Sequence, residues 1–357
     1  MPCRHRLLFV AAFVVALSST VLALPRYSAQ YGQRCALCHV DPAGGGLRTQ
    51  YASMALVPGE LSFLQPTDEE MEAIRPDLSP NVTVGLDLRT LVVQGEGGDG
   101  DLLDMQGDVT VAVAMSPRLT AYVNLGKGGT QEYAAVAYVL PRNGYLKFGR
   151  ITPDYGWRWA DHTMASRRYL LDENGSPSPA FLTEAGIEAG LHGGWWEATG
   201  SLLAGSADNG DSFAGRMAVR REIGPLKAAL GASVLRREQV ASHARAMGGF
   251  GYLNVGPATW VFEVDETGNG ERHGLLISQE LTYRLVRGIH ARGVYTFHDP
   301  DHQEKDGTRN RWGLGLDTLL SPFFGAQIMA NYHHVRPGEL VTGDDHWQAE
   351  MVLHVLY

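Results

Sequence analysis

The residues of this chain best placed to do chemistry lie near its start, in Arg34-Cys35-Ala36-Leu37-Cys38-His39. The only other cysteine among the 357 residues is Cys3. Cys-x-x-Cys-His is the attachment spacing of a c-type haem. Two thiols on one turn of chain can each form a thioether to a porphyrin vinyl group, and a histidine directly after them lies under the iron as proximal ligand. The residues therefore predict one covalent haem c, attached through Cys35 and Cys38 and ligated by His39. The rival chemistries fit less well. A zinc site would need distant help to reach four ligands. A dithiol redox site calls for a thioredoxin-like βαβ setting, which the sequence lacks. A structural disulfide gives the histidine no role.

The second axial ligand is expected from Met54, in Tyr51-Ala52-Ser53-Met54-Ala55-Leu56, because that stretch can form a helix and fold back over a porphyrin. Met71 and the histidines His290, His333 and His354 are the alternatives. A methionine would raise the potential and a second histidine would lower it. Between His39 and this helix stand Gly44, Gly45 and Gly46, which let the backbone turn closely around a flat cofactor.

These residues need a compartment and a scaffold. Residues 1–23 read as a secretory signal: Arg4 and Arg6, an apolar run from Leu7 to Leu17, and small residues up to Ala23. Cys3 falls inside it. The segment carries two arginines and no acids, so its removal leaves 28 basic against 39 acidic residues, a net charge of −11. An acidic exported chain is a poor nucleic-acid binder. No later stretch approaches the ~18 consecutive apolar residues of a spanning helix.

From Asn81 onward the chain alternates apolar and polar residues, which is strand periodicity. Val82, Val84, Leu86 and Leu88 share one face; Thr83, Gly85, Asp87 and Arg89 share the other. Turn signals divide the region into about sixteen strands, near 82–93, 102–115, 118–126, 132–140, 144–151, 183–191, 194–205, 212–222, 225–236, 242–254, 258–266, 273–286, 288–298, 310–320, 323–335 and 345–357. Tight connections alternate with longer polar ones, as in a barrel with short periplasmic turns and longer outside loops. Tyr357, in phase with Leu353 and Val355, resembles the terminal signal of outer-membrane barrels. The expected fold class is all-β: a transmembrane outer-membrane β-barrel over 81–357. Ahead of it, 24–80 would be a small c-type haem segment, mainly helical or irregular, acting as a plug. An even strand count puts both chain ends on the periplasmic side.

Two polar loops offer ligands that Fe(II) accepts. One holds His298, Asp299, Asp301, His302, Glu304 and Asp306; the other holds Asp344, Asp345 and His346. An ordinary solvated acidic loop is the plainer reading of either. Trp157 and Trp159, in the longest loop, could fold inward and narrow the lumen; the membrane interface or packing within the loop is the preferred expectation.

One such motif behind a signal and ahead of about sixteen strands resembles the fused monohaem cytochrome–porins of iron-oxidising bacteria. Those proteins carry an aromatic residue and a glycine before the motif, here Tyr31 and Gly32. An apolar–arginine–aromatic segment follows it, here Leu47, Arg48 and Tyr51. The residue-level match covers about 25–54, and the three consecutive glycines depart from it. The resemblance implies an electron conduit across the outer membrane. Its partners would be an extracellular donor or acceptor, Fe(II) among the donors, and a periplasmic cytochrome or copper protein. In enzymatic terms it would be an Fe(II):cytochrome oxidoreductase. A solute porin gated by a haem plug, and the barrel subunit of a multi-cytochrome complex, are the other readings.

Overall fold

Each alternating segment pairs with the next in the chain. A computed structural model describes residues 25–73, 75–98, 100–127, 132–159, 161–170, 183–205, 209–239 and 243–357; the expected signal, 1–23, lies outside them. A short strand β1 (Asp77–Ser79) precedes sixteen long ones. These are β2 (Val82–Gly95), β3 (Gly100–Ser116), β4 (Leu119–Lys127), β5 (Glu132–Leu140), β6 (Gly144–Ile151), β7 (Glu184–His192), β8 (Trp196–Ala204) and β9 (Asn209–Ile223). They continue with β10 (Leu226–Gln239), β11 (His243–Val255), β12 (Ala258–Asn269), β13 (Arg272–Val286), β14 (Ile289–Asp299), β15 (Thr308–Ser321), β16 (Phe324–Arg336) and β17 (His346–Leu356). All pairings are antiparallel, and β17 closes onto β2, from Gln348 opposite Gly95 to Leu356 opposite Asp87. Closure removes every sheet edge. It also pairs the backbone polar groups within the chain, which a lipid surround demands.

The polarity of the wall is inverted relative to a soluble protein. On β15, Leu314 is 71% exposed and Asp317 is 1% exposed. Outward positions carry Leu202, Leu230, Met247, Leu281 and Ile328, all exposed, while Lys147, Glu188, Glu263, Glu280 and Arg292 are buried and face inward. That is the arrangement of a membrane barrel with a polar interior.

The sixteen expected strands are present, most with ends within a few residues. The largest differences lie at the outer ends: β12 runs on to Asn269, and its link to β13 shrinks to residues 270–271. Polar residues expected in loops continue the ladder there, because backbone pairing outside the lipid band is indifferent to side-chain polarity. Gly270, at φ 64°, makes the turn.

Two segments fill the lumen. From the short-turn end comes residues 25–64, with helices α1 (Pro25–Tyr31) and α2 (Cys35–Cys38) and a wide-turn helix over Ala52–Leu61. Pro58 lies inside that last helix, and Ser62 N–H closes it by donating to Val57 O at 3.0 Å, five residues back. Helix α3 (Asp68–Ala73) leads out towards β1. The segment is tied to the short turns: Lys227 donates to Gln30 O at 2.6 Å, and Phe63 N–H to Leu319 O at 2.8 Å. From the opposite end, the β6–β7 link folds inward over 152–159 and 161–170, with a short helix α4 (Ala165–Arg168). The two segments meet where Arg158 donates to Asp41 at 2.7 Å.

Candidate cofactor cavity

Cys35-Ala36-Leu37-Cys38 makes a single helical turn, which puts the two thiols three residues apart on one side. They are not joined as a disulfide. His39 leaves the turn in an extended conformation (φ −123°, ψ 146°), its N–H donating to Cys35 O at 2.9 Å. The chain then loops and returns antiparallel. Val40 N–H donates to Leu47 O at 3.0 Å and Thr49 N–H to Cys38 O at 2.9 Å, setting His39 opposite Arg48. Gly44, Gly45 and Gly46 in the loop have φ of 91°, 80° and 60°. A side chain at Gly44 would meet Cys35 Sγ at 3.3 Å, so the loop lies against the first thiol.

Cys35, Cys38 and His39 line one cavity that is partly open to solvent. Leu56, Val57 and Leu61 supply its apolar side, and Trp157, from the inward link, contributes to the lining. The loop beneath His39 is fixed by Asp41, which accepts from Ala43 N–H at 3.0 Å, from Lys147 on β6 at 3.0 Å and from Arg158. Arg158 also donates to Gly44 O and to Glu132 at 2.9 Å.

Burial, with the cations Arg158 and Arg48 nearby, lowers His39 to about 4, so the imidazole is neutral and its lone pair available at neutral pH. Burial pushes the Cys35 thiol up to about 12 and raises Cys38, so neither is a standing thiolate nucleophile. Burial alone would raise Asp41; Lys147 and Arg158 outweigh it and hold the carboxyl at about 2. His39 Nδ1 and the hydroxyls of Tyr27 and Tyr31 are buried without hydrogen-bond partners. An apolar cavity bearing two free thiols, a neutral imidazole and unpartnered donors fits a haem attached at Cys35 and Cys38 and ligated by His39.

Met54 stands elsewhere. Ala52, Leu56, Val57 and Leu61 face the cavity, while Met54, two residues from Ala52, is half-buried and absent from the lining. Met71 is buried in α3, also outside the lining. Of the alternative histidines, His290 packs edge-on against Tyr27 with ring centroids 5.9 Å apart, His333 stacks on His346 at 4.5 Å, and His354 bonds Asp87 at 2.8 Å. Among the described residues no methionine and no histidine besides His39 lines the cavity.

The two polar loops do not converge on a metal site: among the described residues no three His, Cys, Asp or Glu side chains are so grouped. His298 is buried and stacks on Tyr169 at 3.8 Å, and Asp345 pairs with His334 at 2.8 Å. For Trp157 and Trp159 the preferred interfacial expectation is corrected in favour of the inward alternative. Both turn into the lumen, where Trp157 Nε1 donates to Gly251 O at 3.2 Å and Trp159 Nε1 to Glu263 at 2.5 Å. Inward acceptors on the wall satisfy the indole N–H groups there. Sequence reasoning missed Arg26, Asp41, Lys147 and Arg158. The Asp41-Pro42 step was a turn signal, but its cationic partners are 106 and 117 residues away.

No protein-family model and no curated protein matches this chain. Solved outer-membrane barrels match its fold. OmpT of Vibrio cholerae is 12% identical, with a TM-score of 0.58, covering 79% of this chain and 100% of its own. OprB of Pseudomonas putida is 7% identical, with a TM-score of 0.59, covering 84% and 99%. An anion-selective porin from Comamonas acidovorans is 12% identical, with a TM-score of 0.56, covering 77% and 98%. At these identities the likeness is one of fold: a porin-like outer-membrane barrel.

Proposed function

We propose that this protein is an outer-membrane electron conduit. It would carry electrons between an extracellular donor or acceptor, Fe(II) among the donors, and a periplasmic cytochrome or copper protein. The observation that carries the reading is the convergence of Cys35, Cys38 and His39 on one apolar cavity inside a closed barrel. A bound haem c would supply a one-electron Fe(III)/Fe(II) couple. Cys35 and Cys38 would hold it through thioethers, and His39, neutral and buried, would present its lone pair to the iron. Leu56, Val57 and Trp157 give the site apolar surface, while Asp41 fixes the loop below it through Lys147 and Arg158.

A solute porin is the rival. Against it stands the filling of the lumen by two segments bonded to the wall and to each other. Haem staining of the purified chain after denaturing electrophoresis is the first test; loss of all colour into acidified organic solvent would exclude covalent attachment. In proteoliposomes, external Fe(II) should then reduce a trapped cytochrome c while small sugars stay inside. Rapid sugar leakage without cytochrome reduction would favour the porin.

A further inference from the structure

Six lysine and arginine side chains are buried among the described residues: Arg26, Arg48, Lys147, Arg216, Arg292 and Arg311. Five have a carboxylate oxygen within 4.0 Å. Arg48 has none. Its Nη2 donates to Pro322 O at 3.4 Å, and its Nη1 is buried with no acceptor. A charge taken out of water without a counter-ion is the costliest arrangement a fold can hold.

Arg48 lines the cavity, as do Arg34 and Arg158, and among the described residues no aspartate or glutamate does. Arg34 and Arg158 have carboxylate partners behind them, Glu197 at 3.5 Å and Asp41 at 2.7 Å. Tyr27 and Tyr31 add two buried hydroxyls without partners to the same lining. In a chain of net charge −9, this cavity presents donors and cations with no carboxylate of its own.

We propose that Arg48 is the counter-ion for a carboxylate of the cavity's occupant, with the Tyr27 and Tyr31 hydroxyls as further donors. On the haem reading, on which this rests, the carboxylates are the propionates. A guanidinium suits the task because its planar fork meets a carboxylate through two parallel N–H bonds. A fixed positive charge beside the propionate favours the reduced centre, which carries one positive charge fewer, and so raises its potential.

The test uses the full mature chain purified with its haem. Haem stain reports attachment, and heat-modifiable mobility on a gel reports the closed barrel. Readouts are the midpoint potential and the resonance Raman propionate-bending band. Arg48→Gln, which can still donate to Pro322 O, should lower the potential and shift the band. Arg48→Lys should restore part of the potential but not the band, since an ammonium cannot make the paired contact. Tyr27→Phe should shift the band less. If Arg48→Gln keeps its haem and neither readout moves, the proposal is overturned and the haem reading stands. A wild-type chain without covalent haem overturns both. If Arg48→Gln does not fold, Arg48→Lys and Tyr27→Phe decide: an unchanged band in both overturns the pairing.

Discussion

Strand β15 pairs with β14 and β16 along its length, whereas helix α1 is seven residues long and reaches the wall through a few contacts, of Arg26, Tyr27 and Gln30. Arg26 meets Asp317 at 2.5 Å and Glu280 at 3.4 Å, and Glu280 in turn meets Arg292 at 2.7 Å. The wall's order is thus spread over many equivalent ladder bonds and an apolar outer face. The order of segment 25–64 is concentrated in a few buried ion pairs and in one cavity. A distributed structure absorbs a single substitution; a concentrated one does not. The cavity lined by Cys35, Cys38 and His39 belongs to the concentrated part.

The largest effect should come from removing the attachment chemistry. Cys35→Ala with Cys38→Ala should abolish covalent haem completely while leaving heat-modifiable barrel mobility unchanged, as read by haem stain and protein stain on one gel. A barrel that failed to close would mean that the segment nucleates the wall, and the contrast drawn above would be broken.

Next is Arg26→Met, which leaves Asp317 and Glu280 sharing Arg292. Breaking a buried pair by removing one partner costs about 3–5 kcal/mol. Here that cost should fall on docking of the segment and not on the barrel. Protease cleavage within 25–64 and a rise in single-channel conductance would follow, with the gel mobility of the barrel unchanged. Conductance identical to wild type would show that the segment is held mainly by its other contacts.

The inward link, described over 152–159 and 161–170, is the intermediate case, anchored from a loop onto the wall. Asp161 meets Arg292 at 2.8 Å. Burial alone would raise its carboxyl, but Arg292 and Arg311 hold it well below the usual carboxylate range. Such an anchor is present above the unfolded pKa of ~3.9 and is lost only as pH falls through the lower folded value. Asp161 should therefore contribute no conductance step from about pH 7 down to about pH 4; a step near pH 6 belongs to Asp154 of the same link, which burial raises to about 6. Asp161→Asn, with Arg292 still paired to Glu280, should loosen the link by about 1–3 kcal/mol and raise conductance across that range. An opening step near pH 5 in the wild type would show that some other group governs the link.

The wall was legible because inward and outward residues alternate for ten or more positions at a time. Leu314, Leu316 and Asp317 declare their faces without knowledge of any neighbour. Cys35, Cys38 and His39 were legible because their chemistry is local, contained in five consecutive residues. Arg26 and Asp41 were not. Each looks like a surface charge until closure of the barrel brings a partner more than a hundred residues away. Trp157 and Trp159 misled for a related reason: indoles suit a membrane interface, and only the closed lumen offers Glu263 and Gly251 O as acceptors.

Met54 gives the smallest effect and the sharpest test of how the wide-turn helix faces the cavity. Ala52, Leu56, Val57 and Leu61 are four or five residues apart or adjacent, and together they make one face. Met54 falls off that face, so Met54→Ala should leave the ferrous and ferric spectra and the midpoint potential unchanged. A methionine ligand lost from the iron would instead remove the long-wavelength sulfur-to-iron band and lower the potential markedly. That outcome would require the helix to rotate by about half a turn when the cofactor binds, moving Leu56 and Val57 off the cavity. The rotation can be checked separately: Val57→Ala should then leave the haem environment undisturbed, whereas on the face described here it removes apolar contact and should shift the Soret band.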